Sequence, residues 1–237
     1  MGRNLSVAFT VMKRYEYKQL ASGKDQSLYQ PIFTGFNCLQ EVAVMKKIAV
    51  HTLSVLCFVC FMVAPLWAAS PPAVGGQLPD FQLSFPKNSA DKNYLNISGS
   101  LFSSSFKIPQ IGAQVAIIEI FSMYCPYCQA EAPNVNSLYQ KIESNPALKG
   151  KIKLVGIGVG NSEYEVGTFK KKYNIPFALF PDGDFKIHKL MGEVRTPYFI
   201  GVKINPDGSH QVFYSKLGAF AGVDQFLNQI VALSGLQ

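Results

Sequence analysis

Two cysteines, Cys125 and Cys128, stand at C-x-x-C spacing, directly after an apolar, β-branched run from Val115 to Phe121 and ahead of a helix-like segment. A cysteine in the first turn of a helix meets the positive end of the helix dipole and several unpaired N–H groups. Its thiolate is favoured and its pKa falls, which is the property of a redox nucleophile. A second thiol three residues on is close enough to attack a mixed disulfide and release a reduced partner. Other uses of the pair need other companions. A structural zinc site usually takes a second ligand pair at similar spacing. Beyond Cys128 there is no further cysteine, and only His188 and His210 remain as histidines. A purely structural disulfide would close a loop of a few residues and constrain the unfolded chain little.

The neighbours of the dithiol extend this chemistry. Glu119 lies inside the otherwise apolar run. Pointed into low dielectric, its carboxyl would hold a raised pKa and could exchange protons with Cys128; facing water at a strand end, it would do neither. Glu131 sits about one helical turn past Cys128 and could tune the thiols electrostatically, or be an ordinary solvated helix residue. Pro133 falls inside the predicted helix and should kink it. Tyr124 and Tyr127 flank the thiols around Pro126, either as a rim for partner backbone or as simple packing. Much later, Thr196-Pro197 directly precedes a strand-like run. X-Pro is the common source of cis peptide bonds, and a cis-proline beside a redox dithiol would expose the Thr196 backbone to an extended substrate.

Strand, C-P-x-C, helix, a proline five residues after the second cysteine and a later Thr-Pro before a strand together resemble the thioredoxin superfamily. Within it, Cys125-Pro-Tyr-Cys-Gln-Ala-Glu131-Ala-Pro133 is similar to the C-x-x-C-x-x-E-x-P signature of the exported TlpA/ResA-like thiol-disulfide oxidoreductases. The turns Phe180–Asp184 and Ile204–Gly208 fit the same family, and the resemblance covers roughly Gly75 to Leu236. It implies that Cys125 is the nucleophile, Cys128 the resolver, Cys125–Cys128 the redox disulfide, Glu131 the active-site acid and Pro197 a cis-proline. It also implies exported cysteine-containing partners, for example apo-cytochrome c, and an upstream thiol-disulfide electron donor. No cofactor is required, because the cysteine pair carries two electrons. The chain departs from the family at Tyr124, where tryptophan is usual, and at Glu119, where asparagine is usual. The acid at 119 and the Phe121-Ser122-x-x-Cys-Pro context resemble thioredoxin, protein disulfide isomerases and the oxidant DsbA. A DsbA-like oxidant or isomerase is therefore the first alternative. A copper chaperone using the two soft thiolates and a histidine is another. A peroxidase lacks the upstream proline expected of peroxiredoxins.

The chain has 237 residues and a formal net charge of +7. Met45-Lys-Lys precedes an apolar run of 22 residues, Ile48 to Ala69. Two lysines, a long apolar core and small residues behind it describe an export signal, and the length also suffices for an uncleaved anchor. Residues 1–44 then read as an over-extended start upstream of Met45, or as a cytoplasmic tail. Seven Lys/Arg and three Asp/Glu lie before residue 48, which leaves 15 against 12 in the remainder. The basicity thus follows the positive-inside rule and leaves no nucleic-acid footprint on the globular part. Cys57 and Cys60 repeat the C-x-x-C spacing inside the apolar run and are given no redox role; Cys38 is isolated.

Residues 70–80 read as a linker, and 81–237 as one α/β domain. Phe81–Phe85 and Tyr94–Ile97 predict an N-terminal β-hairpin, with an extended stretch near Phe106. Strands are expected at 115–121, 152–158, 177–179, 198–204 and 211–215, and helices at 127–144, 163–173, 185–191 and 223–233. This alternation predicts a central sheet with helices on its faces. The Asn205-Pro-Asp-Gly208 turn would join the last two strands as an antiparallel hairpin.

Overall fold

The computed structural model describes residues 70–97 and 104–236. The N-terminal tail, the apolar run, Cys38, Cys57 and Cys60 lie outside the described residues. In chain order come β1 (Leu83–Ser84), α1 (Ser89–Leu95), β2 (Ser105–Phe106), a single 3-10 turn, β3 (Val115–Phe121), α2 (Pro126–Ser144), β4 (Ile152–Val159) and α3 (Glu163–Lys172). Then follow β5 (Ala178–Asp182), α4 (Lys186–Leu190), β6 (Tyr198–Ile204), β7 (His210–Leu217) and α5 (Val223–Ser234).

Five strands form one mixed sheet in the order β5-β4-β3-β6-β7. β3, β4 and β5 run parallel, whereas β6 is antiparallel to β3 and to β7. Every residue of β3 and β4 is buried, as the near-continuous apolar runs of doubly covered central strands require. Side chains alternate across a sheet, and the cores follow that period. Val115, Ile117 and Phe121 pack with Cys128, Leu138 and Ile142 of α2, Phe169 of α3 and Phe226 of α5. Ala116, Ile118 and Ile120 pack on the other side with Phe106, Ile187 of α4 and Met191. The alternation puts Glu119 on the α2 side. As expected, Gly208 closes the β6–β7 turn, with φ at 82° and its N–H donating to Asn205 O at 2.9 Å.

The N-terminal hairpin is corrected. Tyr94 belongs to a helix, and β1 pairs instead with β2, Leu83 opposite Phe106. Asn88 caps α1 by accepting the Asp91 N–H at 2.7 Å, an N-cap arrangement that favours helix over strand. Asp91 is then gripped by Lys170 of α3, whose Nζ donates to both carboxylate oxygens at 2.8 and 2.9 Å and to Phe177 O at 2.6 Å. Residues read as a linker lie against the sheet edge: Gly75 N–H donates to Val212 O at 2.8 Å, and Val212 N–H to Gly76 O at 2.9 Å.

Candidate active site

The chain leaves β3 at Phe121, turns through 122–125 and enters α2 at Pro126, which is suited to a first helical position because it has no N–H to satisfy. Cys125 is the N-cap of α2. Its sulfur accepts the Cys128 N–H at 3.4 Å, where a serine or aspartate oxygen would ordinarily stand. The Cys125 thiol also donates to Thr196 O at 3.3 Å. Thr196-Pro197 is a cis peptide. The Cys125–Thr196 hydrogen bond joins the loop before β6 to the tip of α2 in one site, from segments 71 residues apart.

The two thiols are unlike. Partial burial pushes the Cys125 thiol up, but the Thr196 and Cys128 side chains and the amides of Cys128 and Tyr127 outweigh it and hold the thiol below its ordinary value. Cys128 is fully buried. Burial pushes its thiol far up, and the charge of Glu119 adds to that. Both stand as free thiols. One sulfur is thus reachable and readily ionised, and the other is covered and keeps its proton.

Both carboxyls are inside. Glu119 is 5% exposed, and burial, then the charges of Glu131 and Cys125, push its carboxyl up to about 8. Glu131, at 3% exposed, is no solvated helix residue. Burial raises its carboxyl too, against the opposing effect of hydrogen bonds from Asn134 Nδ2 at 3.1 Å and Phe220 N at 3.3 Å. Tyr124 and Tyr127 are 65% and 76% exposed, which favours the rim over packing; the Tyr124 hydroxyl reaches Glu165 at the start of α3. Pro126 is exposed between them. α2 continues through Pro133 as one helix.

Two residues that the sequence does not single out also belong here. Asn161, fully buried in the turn after β4, accepts the Met123 N–H on Oδ1 at 2.8 Å, and Gln129 Nε2 donates to Met123 O at 2.8 Å. Each is one polar residue whose partner comes from the fold. Only the placement of Asn161 in a turn between a strand and a capped helix could have drawn notice. Neither histidine approaches the thiols as a ligand: His188 Nε2 meets Val194 O at 2.9 Å, and among the described residues no three His, Cys, Asp or Glu side chains gather as a metal site.

A family model described as AhpC/TSA matches residues 74–216, more than half of the chain, and the chain belongs to that family. The soluble secreted antigen MPT53 of Mycobacterium tuberculosis is 26% identical over 145 residues, 61% of this chain and 78% of that protein. A proposed thiol:disulfide interchange protein DsbE from Chlorobium tepidum superposes with a TM-score of 0.50 at 16% identity, over 69% of this chain and 98% of that one. A secreted Mycobacterium tuberculosis disulfide oxidoreductase homologous to E. coli DsbE gives 0.43 at 22% identity, over 60% and 99%. The fold is thioredoxin-like.

Proposed function

We propose that this AhpC/TSA-family chain is a thiol-disulfide oxidoreductase that works on cysteine-containing proteins outside the cytoplasm, most directly by reducing their disulfides. One observation carries the reading: a half-exposed N-cap sulfur with a lowered pKa stands over a buried thiol that keeps its proton.

The steps follow from that asymmetry. The Cys125 thiolate attacks one sulfur of a partner disulfide, forming a mixed disulfide and expelling the partner's other sulfur as thiolate. The Thr196 carbonyl, beside Cys125 Sγ, stands where an extended partner backbone would lie against the Tyr124, Pro126 and Tyr127 rim. Cys128 then loses its proton and attacks Cys125 Sγ, which frees the partner's second thiolate and leaves Cys125–Cys128 as the enzyme's disulfide. Glu119, on the α2 side of β3, is the acceptor for that proton when ionised and returns it in the reverse direction; a carboxyl with its pKa near ambient pH suits both. A thiol-disulfide donor, soluble or in the membrane, resets the dithiol.

The extracytoplasmic setting rests on the lysine-flanked apolar run and on the secreted relative. That run is read as a cleaved signal or as an anchor; among the described residues, no helix is long and apolar enough to cross a membrane. Apo-cytochrome c in its disulfide form is one exported substrate of the right chemistry. A specific observation favours a second reading, the oxidant or isomerase: an ionised Cys125 stabilises the reduced form, which makes a disulfide more oxidising. A copper chaperone would have to hold Cu(I) on the two thiols with no third His, Cys, Asp or Glu gathered beside them among the described residues. The test is a redox titration of the protein in glutathione buffers alongside insulin reduction. A potential near −270 mV, that of thioredoxin, identifies a reductant and one near −120 mV an oxidant. No dithiol–disulfide transition at all would overturn the assignment.

A further inference from the structure

The peptide of Met123 is held from both sides by side chains of two different elements. Asn161, from the turn between β4 and α3, accepts its N–H at 2.8 Å, and Gln129, from the first turns of α2, donates to its C=O at 2.8 Å. Two residues further on is Cys125, whose own N–H donates to Ser122 O at 3.1 Å. The turn that delivers the nucleophile is therefore pinned at its middle by one contact from 38 residues away and one from the adjoining helix, and at its end by its own backbone.

Asn161 is a costly residue to keep there. Its side chain is fully buried, and Nδ2 has no hydrogen-bond partner among the described residues. A buried donor left unpaired destabilises the fold. The amide orientation follows from chemistry, since the Met123 N–H must meet the oxygen. The backbone of the same turn is secured independently, by Asn161 N–H to Gly158 O at 3.1 Å and Gly160 N–H to Asp182 O at 3.0 Å. The turn does not need the side chain to hold its shape; the Met123 peptide does.

We propose that Asn161 and Gln129 form a clamp on the Met123 peptide that fixes where the Cys125 sulfur sits at the tip of α2, making both positioning residues for the nucleophile. Thiolate stabilisation at a helix N-terminus falls off within the first turn. A sulfur free to drift with the 122–125 turn therefore loses its amides.

The inference rests on Cys125 being the reactive thiol, and its test reads that thiol directly. The reduced full-length chain is alkylated with iodoacetamide across a pH series, and the modified Cys125 peptide is quantified by mass. Asn161→Ala and Gln129→Leu should each move the midpoint of the rate–pH profile upward by roughly one unit, a tenfold smaller thiolate fraction below it. Because both act on one peptide, the double variant should move it no further than the larger single change. Gln129 is only half-buried, so Gln129→Leu decides alone if Asn161→Ala does not fold. Unchanged midpoints in the folded variants overturn the clamp, and so does a double-variant shift equal to the sum of the two. Failure of the oxidoreductase reading is seen separately, as wild-type protein that alkylates at low pH yet shows no dithiol–disulfide transition in glutathione buffers.

Discussion

The amide of Phe220 donates to the buried carboxylate of Glu131 at 3.3 Å, across 89 residues of chain. It links the helix carrying the dithiol to the loop that enters α5, where Phe220 stacks on Phe226 with ring centroids 4.4 Å apart. Glu131 is thus a structural acceptor as well as a charge that raises the Glu119 carboxyl. Glu131→Ala leaves a buried N–H without its acceptor and should lose roughly 1–3 kcal/mol of stability. Glu131→Gln keeps an oxygen there and should lose much less. Urea unfolding of the reduced proteins compares them, and equal losses would show that the oxygen is not what matters.

Glu119 predicts a pH dependence. Folded, it holds its proton up to about pH 8, against an ordinary value of 4.5. Between those values the folded chain binds more protons than the unfolded one, so stability falls as pH rises, by up to about 1.4 kcal/mol per unit. Below about pH 4.5 the contribution is fully present. Glu119→Gln should flatten this slope between pH 5 and 8. Urea titrations of the two reduced proteins at each pH give the comparison, and parallel curves would place Glu119 in contact with water.

The unlike thiols predict unlike traps. Cys128→Ala should attack partner disulfides and stall, accumulating covalent complexes that reductant releases. Cys125→Ala should capture almost nothing, because Cys128 is buried and keeps its proton. Non-reducing gels of the two variants incubated with a disulfide-containing protein read this out. Equal trapping by both would reverse the nucleophile assignment.

The Lys170 ammonium, shared among Asp91 and Phe177 O, fastens α1 to α3. Lys170→Met should lose roughly 1.5–3 kcal/mol, the range for hydrogen bonds to charged groups. Asp91→Asn in that background should recover part of the loss by removing the unpaired carboxylate. Thermal melting of the single and double variants tests it; a double variant less stable than Lys170→Met would contradict the pairing.

Elements whose cause is local were legible. Val115–Phe121 and Tyr198–Ile204 match the expected strands to the residue, because central strands read as near-continuous apolar runs, here interrupted at Glu119 and at Gly201 and Lys203. The dithiol and Thr196-Pro197 were legible as motifs. Tyr94 lies in a helix where the sequence predicts strand, because the forces that make α1 a helix come partly from afar: Lys170 grips Asp91, and the Tyr94 hydroxyl accepts the Leu154 N–H at 2.9 Å. The local signal is Asn88, three residues before the Asp91 N–H that it caps. The burial of Glu131 depends on Phe220, and the role of Asn161 on Met123. Neither pairing leaves any trace in spacing.

The N-cap position of Cys125 bears on voltage. Above the pKa of Cys125 the reduced pair carries one thiol proton, on Cys128; below it, two. Two electrons then travel with one proton or with two, so the midpoint potential changes by about 30 mV per pH unit in the first range and about 60 in the second. By setting where Cys125 ionises, the tip of α2 sets where that slope bends; above the bend, acidification raises this pair's potential by less than that of an ordinary partner dithiol, which moves about 60 mV per pH unit.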